Sequence, residues 1–261
     1  MTVTLLSLYP ELLNLYGEYA NLSVLKRYLT EEGAEVVLRS VALGEPIPEG
    51  ADFVYLGCGT ESASLRALDA LRREKGALRS YLEKDVPVLA TGNNFELFGR
   101  VVSDDRYGEC EGLGFFDFET ARTHDKRFLS DAILTCPLVT DKVIGFINKC
   151  STVTGIKTPF MQAEMGYGSD NVTPGEGIVD GSFYGTSLIG PLLIRNPALC
   201  RFFLKKIAEK TGLQPKAQPQ MALQNKAYAL ALFELSGRLA DEKQEKEKAF
   251  RRRRLGRRRT S

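Results

Sequence analysis

Tryptophan is absent from the 261 residues and histidine occurs once, as His124. A single imidazole restricts proton-shuttling chemistry and rules out a multi-histidine metal site. The five cysteines (Cys58, Cys110, Cys136, Cys150, Cys200) are odd in number, scattered and without CxxC spacing. That pattern argues against a disulfide framework and a zinc site, and predicts mostly small buried apolar side chains. No window approaches the roughly 18 apolar residues of a membrane span, and Met1–Leu8 lacks the basic start of a signal peptide. A cytoplasmic protein is expected. Strong overall charge is also missing: the net charge is +2, with 43% hydrophobic and 26% charged residues, as in an ordinary globular chain long enough for one large or two medium domains. The bias that exists is local. From Asp241 to Ser261 ten Lys and Arg face four Asp and Glu, a surplus of six, so the first 240 residues carry about −4.

What is there is organised around residues 85–99, DVPVLATGNNFELFG. The apolar run Val86–Thr91, the tight turn at Gly92, Asn93 and Asn94, and the helix-forming Phe95–Gly99 form a strand-turn-helix elbow. Such a turn forces its tip toward positive φ and presents it at the carboxyl end of a parallel sheet, beside helix N-terminal amides. The tip should carry a nucleophile; here it is Gly92. Glycine and asparagine tolerate positive φ, so the bend is kept without an attacking atom.

Upstream, Thr2–Leu8 reads as a strand, Leu22–Glu32 as a helix ended by Gly33, Ala34–Val41 and Asp52–Leu56 as strands, and Ser64–Leu82 as a helix. Alternating β and α predicts a doubly wound, mostly parallel sheet in a three-layer α/β/α body, with the Gly57–Glu61 turn and the Gly92 elbow at its ligand-binding edge.

The elbow resembles that of class I glutamine amidotransferases of the cobyric acid synthase type, which read roughly Cys-Gly-Gly-Tyr-Gln-Leu-Leu-Gly after an apolar strand. Further fragments resemble, in order, the glutaminase subunit of lipid II isoglutaminyl synthase: Leu13–Gly17 with Asn21, Gly57 to Gly59, Glu111–Phe118, Val143–Asn148, Gly166–Gly168, and Tyr184–Leu193 followed by Arg195 to Pro197. The resemblance covers about residues 5–215 and implies the class I amidotransferase fold, a Mur-ligase-like partner in a heterodimer, and no cofactor. It also implies a cysteine nucleophile, a histidine and oxyanion-holding amides. The cysteine falls on Gly92 and the histidine on Ile189, while an acid and a second histidine fall on Ile147 and Lys149. Arg127 falls where an arginine can pair with the glutamine α-carboxylate, its alternative being a plain surface arginine. Gly57, Gly59 and the amides from Asn93 onward are candidates for an anion-binding nest, in a pocket that a glycine tip should widen. A relocated Cys58 and His124 pair is the remaining catalytic option; a buried thiol and a solvated histidine is the simpler one.

Three functions follow. The chain is a catalytically degenerate subunit in amidation of the peptidoglycan precursor lipid II, a working glutaminase feeding that ligase, or a small-molecule sensor. The expected divisions are a domain at 1–212, a linker and C-terminal helix at 213–240, and a charged disordered tail at 241–261 with seven arginines between 251 and 259. That tail suits an anionic membrane surface. No motif for specific nucleic-acid binding accompanies it.

Overall fold

In the computed structural model, which describes residues 1–214 and 220–257, the chain begins with β1 (Thr2–Leu8), α1 (Ala20–Glu31), β2 (Glu35–Val41), β3 (Phe53–Leu56), α2 (Glu61–Arg73), α3 (Lys75–Glu83) and β4 (Val88–Thr91). Alternate residues of the central strands serve two separate cores, which is what makes three layers. Val3 and Leu5, Phe53 and Tyr55, and Leu89 pack with α1 and with α5 (Pro197–Thr211). Leu6 and Leu8, Val54 and Leu56, and Val88 and Ala90 pack with α2 and α3. Strands buried on both faces read as continuous apolar runs, as Phe53–Leu56 does.

The intervening chain forms β5 (Val101–Asp104), β6 (Gly108–Glu111), β7 (Glu119–Arg122), β8 (Phe128–Thr135), β9 (Val143–Lys149), β10 (Ser151–Thr154), β11 (Met161–Met165), β12 (Gly175–Glu176), β13 (Ile178–Asp180), β14 (Phe183–Thr186) and β15 (Leu188–Ile189). The main sheet has the order β13-β14-β4-β3-β1-β2, parallel throughout except where β13 pairs antiparallel with β14. Two smaller sheets, β10-β7-β5-β6 and β12-β11-β8-β9-β15, occupy the middle of the chain. The doubly wound sheet is therefore as expected, and the two extra sheets are an addition to it.

Two elements differ from expectation. The single helix over Ser64–Leu82 is broken at Glu74, whose backbone leaves the helical region at φ −101° and whose carboxylate accepts the Ile47 N–H at 3.1 Å. The chain after the elbow is a 3-10 run, Gly92–Phe98, rather than an α-helix. Its side chains are committed elsewhere: Asn93 Nδ2 donates to Gly59 O at 2.9 Å, Asn94 Nδ2 to Gly57 O, and Glu96 is buried in an ion pair. A short α4 (Leu192–Arg195) precedes α5, which Gly212 closes in the left-handed region at φ 74°. After the linker, whose residues 215–219 lie outside the described ones, α6 runs over Ala222–Arg257 and takes in the charged run Asp241–Lys248. Tyr228, Leu232, Leu235 and Leu239 of α6 pack on Ile133, Ile144 and Met165 of the five-stranded sheet.

Candidate functional site at the elbow

Gly92 caps β4 with φ 60°, the positive value that the tip of an elbow requires. Thr186 of β14 sits beside Thr91 in register, so β14 carries the following residues to the same carboxyl edge. This brings together positions 97 apart in sequence. A Cβ built on Gly92 would stand 3.0 Å from Ile189 Cγ2, so the two residues onto which the resemblance puts nucleophile and histidine are neighbours.

Among the described residues, the space that a glycine tip was expected to widen is taken. The same Cβ would lie 2.5 Å from Cys58 Sγ and 2.6 Å from Cys58 Cβ, well inside contact distance, so Cys58 and Ile189 already occupy the space. Cys58 is buried, and its sulfur points at Gly59 O and Asn93 Oδ1, each at 3.6 Å. Burial, followed by the Glu18 carboxylate, pushes its thiol far above the ordinary range, which suppresses the thiolate that nucleophilic attack needs.

The glycine turn after β3 is tied down in the same way. A Cβ on Gly57 would meet Leu13 O at 2.2 Å and one on Gly59 would meet Leu12 O at 2.8 Å, so both glycines serve the close passage of the 12–13 backbone. The Gly59 N–H points at Asn93 Oδ1 at 3.3 Å. The amide offered to an anion is thus already engaged inside the protein. Arg127 lies at the mouth with 42% of its side chain exposed, bonded to Glu61 at 3.0 Å and to Asn148 Oδ1 at 2.7 Å. Asn148 in turn donates to the Tyr16 hydroxyl at 2.9 Å. Glu61 thus already supplies this guanidinium with a carboxylate partner.

Beneath the tip lies a residue that the sequence reading did not single out. Glu18 is fully buried, and it accepts from Gly190 N at 2.7 Å, from Thr91 Oγ1 at 2.6 Å and from the Tyr55 hydroxyl, with Asn21 Nδ2 at 3.4 Å. Burial drives its carboxyl up to about 7, against the pull of these donors. No cation is among its partners in the described residues. The sequence offers only an acid directly after Gly17, at the end of the loop that leaves β1; Tyr16 and Gly17 both adopt positive φ there.

On the other side of the elbow Glu96 pairs with Arg122, Nε to Oε2 at 2.8 Å, both fully buried. Ser151 Oγ donates to the other Glu96 oxygen at 2.5 Å, and Arg122 Nη2 reaches Ser64 Oγ and Asn93 O at 3.1 Å each. This pair clamps the 3-10 run to β7 and α2. Ile147 is buried, and Lys149 directs its ammonium to Gly168 O at 2.8 Å and Ser169 O at 2.9 Å. Burial lowers the Lys149 pKa and the buried Glu176 carboxylate opposes that shift. Neither residue supplies a group to the tip.

His124 is not a solvated surface residue. Its side chain is 8% exposed and its Nε2 lies 3.0 Å from Asp104 Oδ1. With Asp105 it forms a group of three donors within 4.8 Å of one another, on the β5–β6 turn and the loop after β7. Cys58 makes its hydrogen bonds elsewhere, to Gly59 and Asn93.

No helix of the described residues is long and apolar enough to cross a membrane. A profile of the CobB/CobQ-like glutamine amidotransferase domain matches residues 4–197. The GatD subunit of lipid II isoglutaminyl synthase (glutamine-hydrolyzing) from Streptococcus pneumoniae is 27% identical over 209 residues, covering 78% of this chain and 80% of that protein. The corresponding subunit of Staphylococcus aureus is 25% identical over 207 residues, covering 78% and 84%. Among solved structures, PurLQS from Thermotoga maritima aligns with a TM-score of 0.52 at 12% identity over 80% of this chain and 97% of that one. A glutamine amidotransferase from the same organism gives 0.51 at 13% identity over 91% and 97%. At these identities the solved structures show a shared fold. With the profile spanning most of the sequence and the elbow seated at the carboxyl edge of the parallel sheet, the chain belongs to the CobB/CobQ-like glutamine amidotransferase family.

Proposed function

We propose that the chain is a catalytically degenerate amidotransferase-like subunit that pairs with a Mur-ligase-like partner in lipid II amidation, serving as scaffold or regulator rather than as the source of ammonia. One observation carries this reading. Gly92 has no side chain, and the space in front of it holds Cys58 and Ile189. Ile189 has no nitrogen to move a proton, and general acid–base catalysis is typically worth ~10² to 10⁴ in rate. The GatD relatives, named as glutamine-hydrolyzing subunits of lipid II isoglutaminyl synthase, supply the process and the idea of a partner. The body over 1–212 would bind that partner at the mouth, where Leu15, Tyr16, Tyr19 and Leu129 are exposed.

The test is co-expression with the ligase-like protein, size-exclusion chromatography of the pair, and a glutaminase assay on the complex. The expected result is one peak and no ammonia above a buffer control. Gly92→Cys alone should not restore turnover, because the new thiol would lack a base. A working glutaminase is favoured by one contact only, the Cys58 sulfur close to the empty tip. Glutamine-dependent ammonia release that disappears in Cys58→Ala would establish it and end the degenerate reading.

A further inference from the structure

We infer that β2 is the dimerisation edge of this protein: two copies join through antiparallel β2–β2 pairing across a two-fold axis at Val37, extending the six-stranded sheet into its copy. β2 pairs only with β1 and ends the sheet order on that side. Its register with β1 runs without interruption from Glu35 to Val41. It carries no proline, lysine or bulge, and of the usual devices that blunt an edge it has only the charges of Glu35 and Arg39. Instead Val37 and Leu38 are each 42% exposed.

The backbone fixes which residues can pair. Glu35 N donates to Met1 O and Val41 O accepts from Tyr9 N, so the odd residues of β2 face β1. By alternation the N–H and C=O groups of Val36 and Leu38 face outward. An axis at Val37 opposes Val36 to Leu38 of the copy and Leu38 to Val36, and each such antiparallel pair exchanges two hydrogen bonds. Val37 then meets Val37 in a non-hydrogen-bonded pair, where side chains approach most closely.

Charge selects this register over its neighbours. With the axis at Val37, Glu35 stands opposite Arg39 of the copy twice, once on each side. Moving the axis to Leu38 puts Glu35 opposite Val41 and Arg39 opposite Val37. Moving it to Val36 puts Arg39 opposite Gly33. Arg39 has no hydrogen-bond or ion-pair partner among the described residues, while Glu35 accepts only from Thr2 Oγ1, at 3.1 Å. Both charges are therefore available to a copy. The pairing is isologous, the same patch on each subunit, as closed two-fold symmetry demands. β2 lies three strands from β4, so the elbow face stays free and the dimer stands independently of the function proposed above.

Analytical ultracentrifugation of the full chain alone, from low to several hundred micromolar, reads the outcome. The mass should rise with concentration from 28.9 kDa to twice that value. Arg39→Glu, which places Glu opposite Glu, should hold the chain at the monomer mass with an unchanged circular dichroism spectrum. The double variant Glu35→Arg with Arg39→Glu should restore the dimer by reversing both charges. Leu38→Pro removes an outward N–H without touching the β1 ladder and should also yield monomer. A wild-type chain that stays at 28.9 kDa throughout, or a dimer indifferent to both single variants, overturns the inference. Failure of the double variant to recover would leave the edge without its charge register and overturn it equally.

Discussion

The two sides of the elbow each bury a glutamate, and they solve the problem differently. Glu96 faces a guanidinium at 2.8 Å. Glu18 faces two hydroxyls and two N–H groups with no cation among its partners in the described residues, and its carboxyl is driven up to about 7 by burial. A buried charge is tolerated when a countercharge replaces the lost water, whereas dipoles alone leave it titrating near neutrality. The first arrangement clamps the turn to β7 and α2, and the second responds to pH.

The sharpest break in that comparison is Arg122→Met. It takes the countercharge away from the buried Glu96 carboxyl, with Ser151 as its remaining side-chain donor, and should destabilise the fold by ~3–5 kcal/mol, measured by urea unfolding. Glu18→Gln should do less and should act through pH. Because burial raises the folded-state value above the ordinary 4.5, the stability that proton uptake by Glu18 contributes is complete below about pH 4.5 and is lost as pH climbs through about 7. The wild type should therefore lose up to about 3 kcal/mol more than Glu18→Gln between pH 4.5 and pH 8. Parallel melting curves for the two proteins across that range would refute this.

Gly92→Ala is the smallest perturbation. Positive φ and the approach to Cys58 should together cost about 1–3 kcal/mol. Cys58→Ala in the same chain should recover part of that loss, a coupling of about 0.5–3 kcal/mol in a double-mutant cycle. Strictly additive effects would mean that the sulfur does not hold the space.

The parallel sheet was legible because its signals are local: apolar strands, glycine turns and helical periodicity lie within a few residues of each other. The elbow was legible for the same reason, and the proximity of Gly92 and Ile189 followed from the family frame. The two small sheets were not: β8 and β9 run for eight and seven residues, but the strands that join them into sheets, such as Gly175–Glu176 and Leu188–Ile189, carry too few positions to show a period. Glu18 escaped because its decisive partner, Gly190, is 172 residues away. The sealing of the site by Cys58 escaped because it depends on a separation of a few ångströms between two turns that sequence spacing does not encode.

The crowding at Gly92 makes positions 58 and 92 a steric pair. A side chain at position 92 and Cys58 in its present place exclude one another, since the first carbon would lie 2.5 Å from the sulfur and 2.6 Å from the Cys58 Cβ. Turning the sulfur away leaves the carbon contact, so the turn that carries position 58 must also yield. A side chain installed at this tip therefore calls for a second change in the neighbouring turn, and the two turns behave as one unit toward substitution.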